Sequence, residues 1–306
     1  MRRDVRFRED GSFTIAQFTD LHFGYHEGED DRKTEEVRSV LAAESPDLIF
    51  ITGDLIWSKG VPDPRVSFRR ALAPILESGL PWAATFGNHD AEAGVTREEL
   101  LAIQRESAYC LSERGPDDVH GVGNYVITVR DAQGMKERLA LYAFDSGIEA
   151  PESLGIGGYD WIRASQIAWY TERSAAMEKL AGERLPALAF FHIPVPEYEE
   201  AWRTGPVSGS RGEAVCCPKL NSGLFAAMVE RGDVMGTFVG HDHDNDYIGI
   251  LHGVCLCYGR VTGYNTYGKA QRGARIIRLT EGRRGFETWI RQHDGTIAHP
   301  WRSPDA

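Results

Sequence analysis

Short apolar runs alternate with amphipathic stretches through the first third of this chain. Residues 12–19, 47–52 and 82–86 are apolar runs of strand length. Between and after them lie stretches with helical spacing. Residues 33–44 place Val37, Val40 and Leu41 on one face, and residues 65–77 read the same way. Residues 96–106 open with T-R-E-E, a capping box in which Thr96 caps and Glu99 reaches back. A βαβαβα rhythm of this kind predicts a mostly parallel sheet covered by helices.

The period then changes. Residues 124–129 and 139–144 read as strands joined by a polar turn, 164–180 as a long helix, 187–191 as a strand, 220–230 as a helix and 234–239 as a strand. Four further strands, 247–251, 254–258, 274–279 and 286–291, suggest an antiparallel C-terminal part. Residues 193–219, rich in proline and glycine, read as one long loop, the kind that is often functional. No repeat or linker interrupts the pattern, so residues 1–306 are expected to form a single α/β domain with a β-rich C-terminal part.

The chain has 306 residues with 34 Lys+Arg against 45 Asp+Glu, a net charge of −11. A phosphate backbone or anionic membrane recruits Lys and Arg, so nucleic-acid polymers and membranes are not expected partners. The start of the chain has no apolar leader, and no run reaches about 18 apolar residues. The cysteines number five, an odd count without C-x-x-C; Cys255 and Cys257 alternate as strand core, and only the vicinal Cys216-Cys217 is unusual. A reducing, cytoplasmic location is expected.

The chemistry sits at strand ends. Five predicted strands are followed by Asp20-Leu21-His22, by Gly53-Asp54, by Gly87-Asn88-His89-Asp90, by His192 and by Gly240-His241-Asp242-His243. Carboxyl ends of strands are where open α/β sheets bind ligands. Neutral imidazole and oxygen donors suit Mn, Fe and Zn. If these segments are extended, residues i and i+2 point the same way, which pairs Asp20 with His22 and His241 with His243. Gly53, Gly87 and Gly240 each precede a donor and permit close backbone approach. Eight candidates exceed the need of one ion. Two ions sharing a bridging carboxylate would take seven and leave one histidine for acid–base work.

The blocks D-x-H, G-D, G-N-H-D, H and G-H-x-H resemble the calcineurin-like metallophosphoesterase superfamily. The stretches PDLIFITGD, PWAATFGNHD, FFHIPVPEY, NSGLF, FVGHDHDNDY and LCYG are similar to a purple-acid-phosphatase-like branch of it. The resemblance implies a four-layer αββα sandwich, two mixed sheets flanked by helices. It implies that Asp20, His22 and His243 bind one metal, that Asn88, His192 and His241 bind a second, and that Asp54 bridges them. It further implies that His89 protonates the leaving group or steadies its charge, with Asp90 orienting it, while a metal-bound hydroxide attacks phosphorus in line. Purple acid phosphatases carry a tyrosine ligand three residues after the bridging aspartate. Here that position is Trp57, which offers only an N–H, so two divalent ions (Mn, Fe or Zn) are expected rather than a ferric–tyrosinate centre.

Phosphomonoester hydrolysis is the first expectation. A phosphodiesterase acting on cyclic nucleotides or other small diesters is the alternative, and a metal-binding scaffold is the non-enzyme reading. Small phosphate esters fit the acidic balance, since ions at the site reverse the local charge. Arg260, His26, Asn245 and Arg211 are the candidate substrate contacts, with Glu213 beside Arg211 as another cleft residue. Trp57 is expected to pack. The six acids among residues 27–36 are expected to form a solvated loop and helix start.

Overall fold

In a computed structural model, which describes residues 5–24 and 27–304, strands and helices alternate as the apolar pattern requires. In chain order they are β1 (Val5–Arg6), β2 (Ser12–Phe18), α1 (Glu27–Glu44), β3 (Leu48–Thr52), α2 (Pro64–Glu77), β4 (Trp82–Thr85) and α3 (Arg97–Gln104). Next come β5 (Tyr125–Arg130), β6 (Glu137–Ala143), α4 (Ala164–Ala181), β7 (Ala187–Phe190), α5 (Glu197–Thr204), β8 (Val207–Ser208) and α6 (Leu224–Arg231). The chain ends with β9 (Val234–Val239), β10 (Ile248–Leu251), β11 (Val254–Tyr258), β12 (Gly273–Thr280), β13 (Glu287–Gln292) and β14 (Ile297–Arg302). His26, a candidate substrate contact, lies outside the described residues.

Two mixed sheets result. One has the order β1-β5-β6-β7-β9-β11-β10-β8 and the other β14-β13-β12-β2-β3-β4. Their inner faces meet through Phe13, Ile15 and Phe50 on one side and Leu141, Phe190, Phe238, Cys255 and Cys257 on the other. Phe50 stacks on Phe190 with ring centroids 3.9 Å apart. The outer face of the six-stranded sheet is covered by Val37, Val40, Phe68, Leu72 and Leu100 of α1, α2 and α3. Tyr170 and Met177 of α4, Tyr198 of α5 and Met228 of α6 cover the outer face of the other sheet. This is a four-layer αββα sandwich. Central strands such as β3 are buried on both faces, which is why they read as continuous apolar runs rather than alternating ones. Each fully buried Phe or Ile contributes about 1.5–3 kcal/mol.

Local signals act where they were placed. Thr96 Oγ1 accepts from Glu99 N at 3.2 Å while Glu99 Oε2 accepts from Thr96 N at 2.8 Å. Asp63 caps α2, with Pro64 at its first position. Four features differ from the pattern-based expectation. The C-terminal strands are not one antiparallel unit: β11 pairs parallel with β9, whereas β12 joins the other sheet against β2. The region 193–219 holds α5 and β8 between its prolines. Helix α1 begins at Glu27, and β14 adds an edge strand. Among the described residues no helix is long and apolar enough to cross a membrane.

Candidate metal centre

The carboxyl ends of β2, β3 and β4 from one sheet, and of β7 and β9 from the other, converge at one end of the sandwich. Gln17 ties the sheets together beneath this point, donating to Thr52 Oγ1 at 2.9 Å and to Val239 O at 3.0 Å. Above it the turns interlock. Asp20 N donates to Gly53 O at 3.1 Å, His22 N to Asp54 O at 2.9 Å and Gly240 N to His192 O at 3.1 Å. Two glycines permit this packing. A Cβ on Gly87 would lie 2.0 Å from Asp54 Oδ1, and one on Gly240 would lie 1.9 Å from Thr19 Oγ1.

All seven expected donors come together, but not by the extended geometry that the spacing suggested. Asp20, His22, Asp54 and His241 have φ of +54°, +46°, +52° and +77°. Non-glycine residues in this region cost roughly 1–3 kcal/mol each and persist where surroundings over-determine them. His241 and His243 consequently diverge. His243 groups with Asp20 and His22, whereas the His241 ring lies 5.1 Å from that of His192. His243 Nε2 lies 3.4 Å from Asp20 Oδ1. Asp54 Oδ2 stands between the two groups, 3.6 Å from His22 Nε2 and 3.2 Å from His192 Nε2. Asn88 Oδ1 is 3.1 Å from His192 Nε2.

The electrostatics suit cations. Burial pushes His22 and His241 down to about 3, so both rings are neutral. Their Nε2 atoms are buried and, among the described residues, have no hydrogen-bond partner. Burial raises Asp20, but the bond and charge of His243 outweigh it and hold the carboxyl at about 2. Burial also opposes the charge of Asp54, yet His192 holds that carboxyl well below its usual range. Carbonyl and hydroxyl oxygens orient two of the rings. His192 Nδ1 lies 2.7 Å from Thr52 O, and His243 Nδ1 lies 2.8 Å from Thr266 Oγ1. Each Nε2 is thereby turned toward the carboxylates, as outer partners of metal-bound histidines do. Anionic carboxylates, an amide oxygen, the two neutral rings with their orphaned nitrogens, and His192 and His243, whose protons are held against burial by Asp54 and Asp20 and would be given up to a cation, form a donor set that fits a pair of divalent ions.

Asp90 has a different place from the one expected. It does not touch the His89 ring. Its carboxylate accepts from Asp54 N at 3.0 Å, Gly87 N at 2.8 Å and Ile56 N at 3.1 Å, locking the two donor turns together. The group beside His89 is Glu92, whose Oε2 lies 2.9 Å from His89 Nδ1. Glu92 stands three residues after His89, a spacing that could have identified it. Sequence reading also missed Lys33, whose buried Nζ donates to His22 O at 2.9 Å and to Asp30 Oδ1 at 2.7 Å. Asp30 and Glu36 are themselves buried, so the acidic stretch is partly internal rather than a solvated run. Tyr159 meets the His241 ring edge-on at 4.4 Å, and Tyr267 stacks on His243 at 4.2 Å.

The substrate contacts also need correction. Arg260 is buried and paired with Asp246, and it donates to Gln271 O at 2.7 Å, so its charge is consumed inside the fold and it offers no fork to a phosphate. Arg211 is spent on Glu199 and on Glu213 O. Asn245 is buried, with Oδ1 accepting from Gly212 N and Glu213 N. Trp57, expected to pack, is 48% exposed. It lines a cavity of about 460 Å³ together with His22, Gly24, Glu29, Val61 and Asn265.

Known proteins share both pattern and fold. The family model for calcineurin-like phosphoesterases matches residues 13–245. The chain is 35% identical to "Probable inactive purple acid phosphatase 14" of Arabidopsis thaliana, over 96% of this chain and 84% of that protein. It is 33% identical to "Phosphatase DCR2" of Saccharomyces cerevisiae, over 92% of this chain and 54% of that protein. A dimetal phosphatase from Danio rerio superposes with a TM-score of 0.69 at 12% identity, over 96% of this chain and 99% of that one, a likeness of fold alone. The family match spans every donor turn described above, and the chain belongs to the calcineurin-like phosphoesterase family.

Proposed function

We propose that this protein is a dinuclear metal-dependent phosphomonoesterase acting on small phosphate esters. The supporting observation is the pair of buried imidazole nitrogens of His22 and His241, without hydrogen-bond partners among the described residues, with His22 Nε2 3.6 Å from Asp54 Oδ2 and the His241 ring beside that of His192. Asp20, His22 and His243 would hold one ion, Asn88, His192 and His241 the other, and Asp54 both. Bound Mn²⁺, Fe²⁺ or Zn²⁺ would polarise the phosphoryl oxygens and acidify a water.

The remaining work falls to the chain. Asp90 holds the turns of Asp54 and Asn88 in register. His89, with its side chain 35% exposed at the rim, carries a proton to the leaving oxygen, and Glu92 orients its ring. Neither Arg211 nor Arg260 assists, since both are committed elsewhere. The cavity beside His22 takes the organic group of the ester. The free thiols Cys216 and Cys217 fit a reducing, cytoplasmic compartment.

The names of the relatives pull in opposite directions, three being probable inactive purple acid phosphatases and one a phosphatase. The intact donor set of this chain favours activity. Turnover of p-nitrophenyl phosphate and bis-p-nitrophenyl phosphate with each of Mn²⁺, Fe²⁺, Zn²⁺, Co²⁺ and Ni²⁺ tests the reading. Preference for the monoester is expected. Preference for the diester makes it a phosphodiesterase, and turnover of neither leaves a metal-binding scaffold.

A further inference from the structure

A second cluster of metal-ligand type lies beside the centre and takes no part in it. The segment 211–217 is clamped against residues 242–246. Asn245 Oδ1 accepts from Gly212 N at 3.1 Å and Glu213 N at 3.2 Å. Glu213 Oε1 accepts from Asp244 N at 2.7 Å, and Cys216 N donates to Asp242 Oδ2 at 3.2 Å. The clamp brings one ligand atom each of Glu213, Cys216 and Asp242 within 4.8 Å of one another.

Asp242 is 3% exposed. Its Oδ2 is held by Tyr258 OH at 2.5 Å, while its buried Oδ1 has no partner among the described residues. Among those residues, no Lys or Arg lies within ion-pair distance of Asp242 or Glu213. Buried carboxylates are otherwise paired or coordinate metals. Here one buried carboxylate, Asp242, meets a half-buried carboxylate and a half-buried thiol with no Lys or Arg between them.

We propose that Glu213, Cys216 and Asp242 form a third cation site for a zinc-type ion, separate from the seven donors of the main centre. Thiolate with carboxylate is a donor set that Zn²⁺ and Co²⁺ accept and that Mg²⁺ and Ca²⁺ do not favour. The site adjoins the main centre along the chain, since Asp242 lies between His241 and His243, and also through one ring. Tyr267 stacks on His243 and donates to Glu213 Oε2 at 2.9 Å. An ion there holds the 213–217 segment, and with it the ring packed on His243. The proposal does not rest on the phosphatase reading.

Co²⁺ titration followed by ultraviolet absorption tests it, because the main centre contains no sulfur. The unmodified 306-residue protein should show a thiolate-to-cobalt charge-transfer band. Asp54→Asn, which damages the main centre, should keep the band, and Cys216→Ser should abolish it. Tyr258→Phe, which frees Asp242 Oδ2, should weaken the affinity read from the band about 10–100-fold. Absence of the band in the unmodified protein would overturn the proposal. So would its survival in Cys216→Ser, or its loss in Cys217→Ser alone. The unmodified protein decides even if a variant fails to fold.

Discussion

Substitution of Asp90 separates two roles for one carboxylate. If Asp90 oriented His89, its loss would change the pH profile of turnover and leave stability nearly untouched. The structure assigns it three buried backbone N–H groups instead, from Asp54, Ile56 and Gly87. Asp90→Asn keeps the shape but retains one oxygen. Turned toward Asp54 and Gly87, that oxygen satisfies two donors, and the amide nitrogen then faces the Ile56 N–H. One buried donor is stranded, at about 1–3 kcal/mol. Asp90→Ala strands all three, on the order of 3–9 kcal/mol on the same scale. Thermal melts of the metal-free proteins should therefore fall in the order unmodified, Asn, Ala. Divalent-ion affinity should fall in the same order, because the Asp54 turn loosens. An Asp90→Asn melt indistinguishable from the unmodified protein, with a displaced pH profile, would show instead that Asp90 acts on His89.

Other outcomes follow from the same contacts. Gly87→Ala, with its Cβ only 2.0 Å from Asp54 Oδ1, should lose metal binding in calorimetric titration while a circular-dichroism spectrum stays native. Glu92→Gln removes the charge beside His89 Nδ1, so kcat should fall while KM and melting temperature change little. Arg260→Ala takes the guanidinium from the buried Asp246 carboxylate, leaving it Ser210 N and His299, and should cost roughly 3–5 kcal/mol in denaturant unfolding, with KM unchanged in the folded fraction. Folded-state values of about 3 for His22 and His241 lie below the ordinary 6.5 of unfolded histidine, so their contribution is complete above pH 6.5 and drains away as pH falls toward 3. Melts of metal-free protein across that window should show the decline.

Much of the centre was legible because its signals are local and of fixed order. Each donor follows a strand whose apolar run marks its end, as Thr52 does for Asp54 and Val239 for His241. The direction in which those donors point was not legible. Period-two reasoning paired His241 with His243, but the left-handed turn at His241 splits them between two groups. Arg260 and Arg211 read as substrate contacts because their partners, Asp246 and Glu199, are paired only by tertiary packing. Asp90 was misread for the same reason, since the backbone it supports at Asp54 is 36 residues away. The parallel pairing of β11 with β9 and the transfer of β12 to the other sheet are likewise long-range choices that strand propensity does not encode.

The most direct test of the central claim is turnover of p-nitrophenyl phosphate as metal-free Cys216→Ser protein is titrated with Mn²⁺, with bound metal counted by elemental analysis. That variant removes the third site from the count. Two ions per chain are predicted, with turnover rising as the second is bound. Fewer than two ions, or two ions without turnover, would contradict the account.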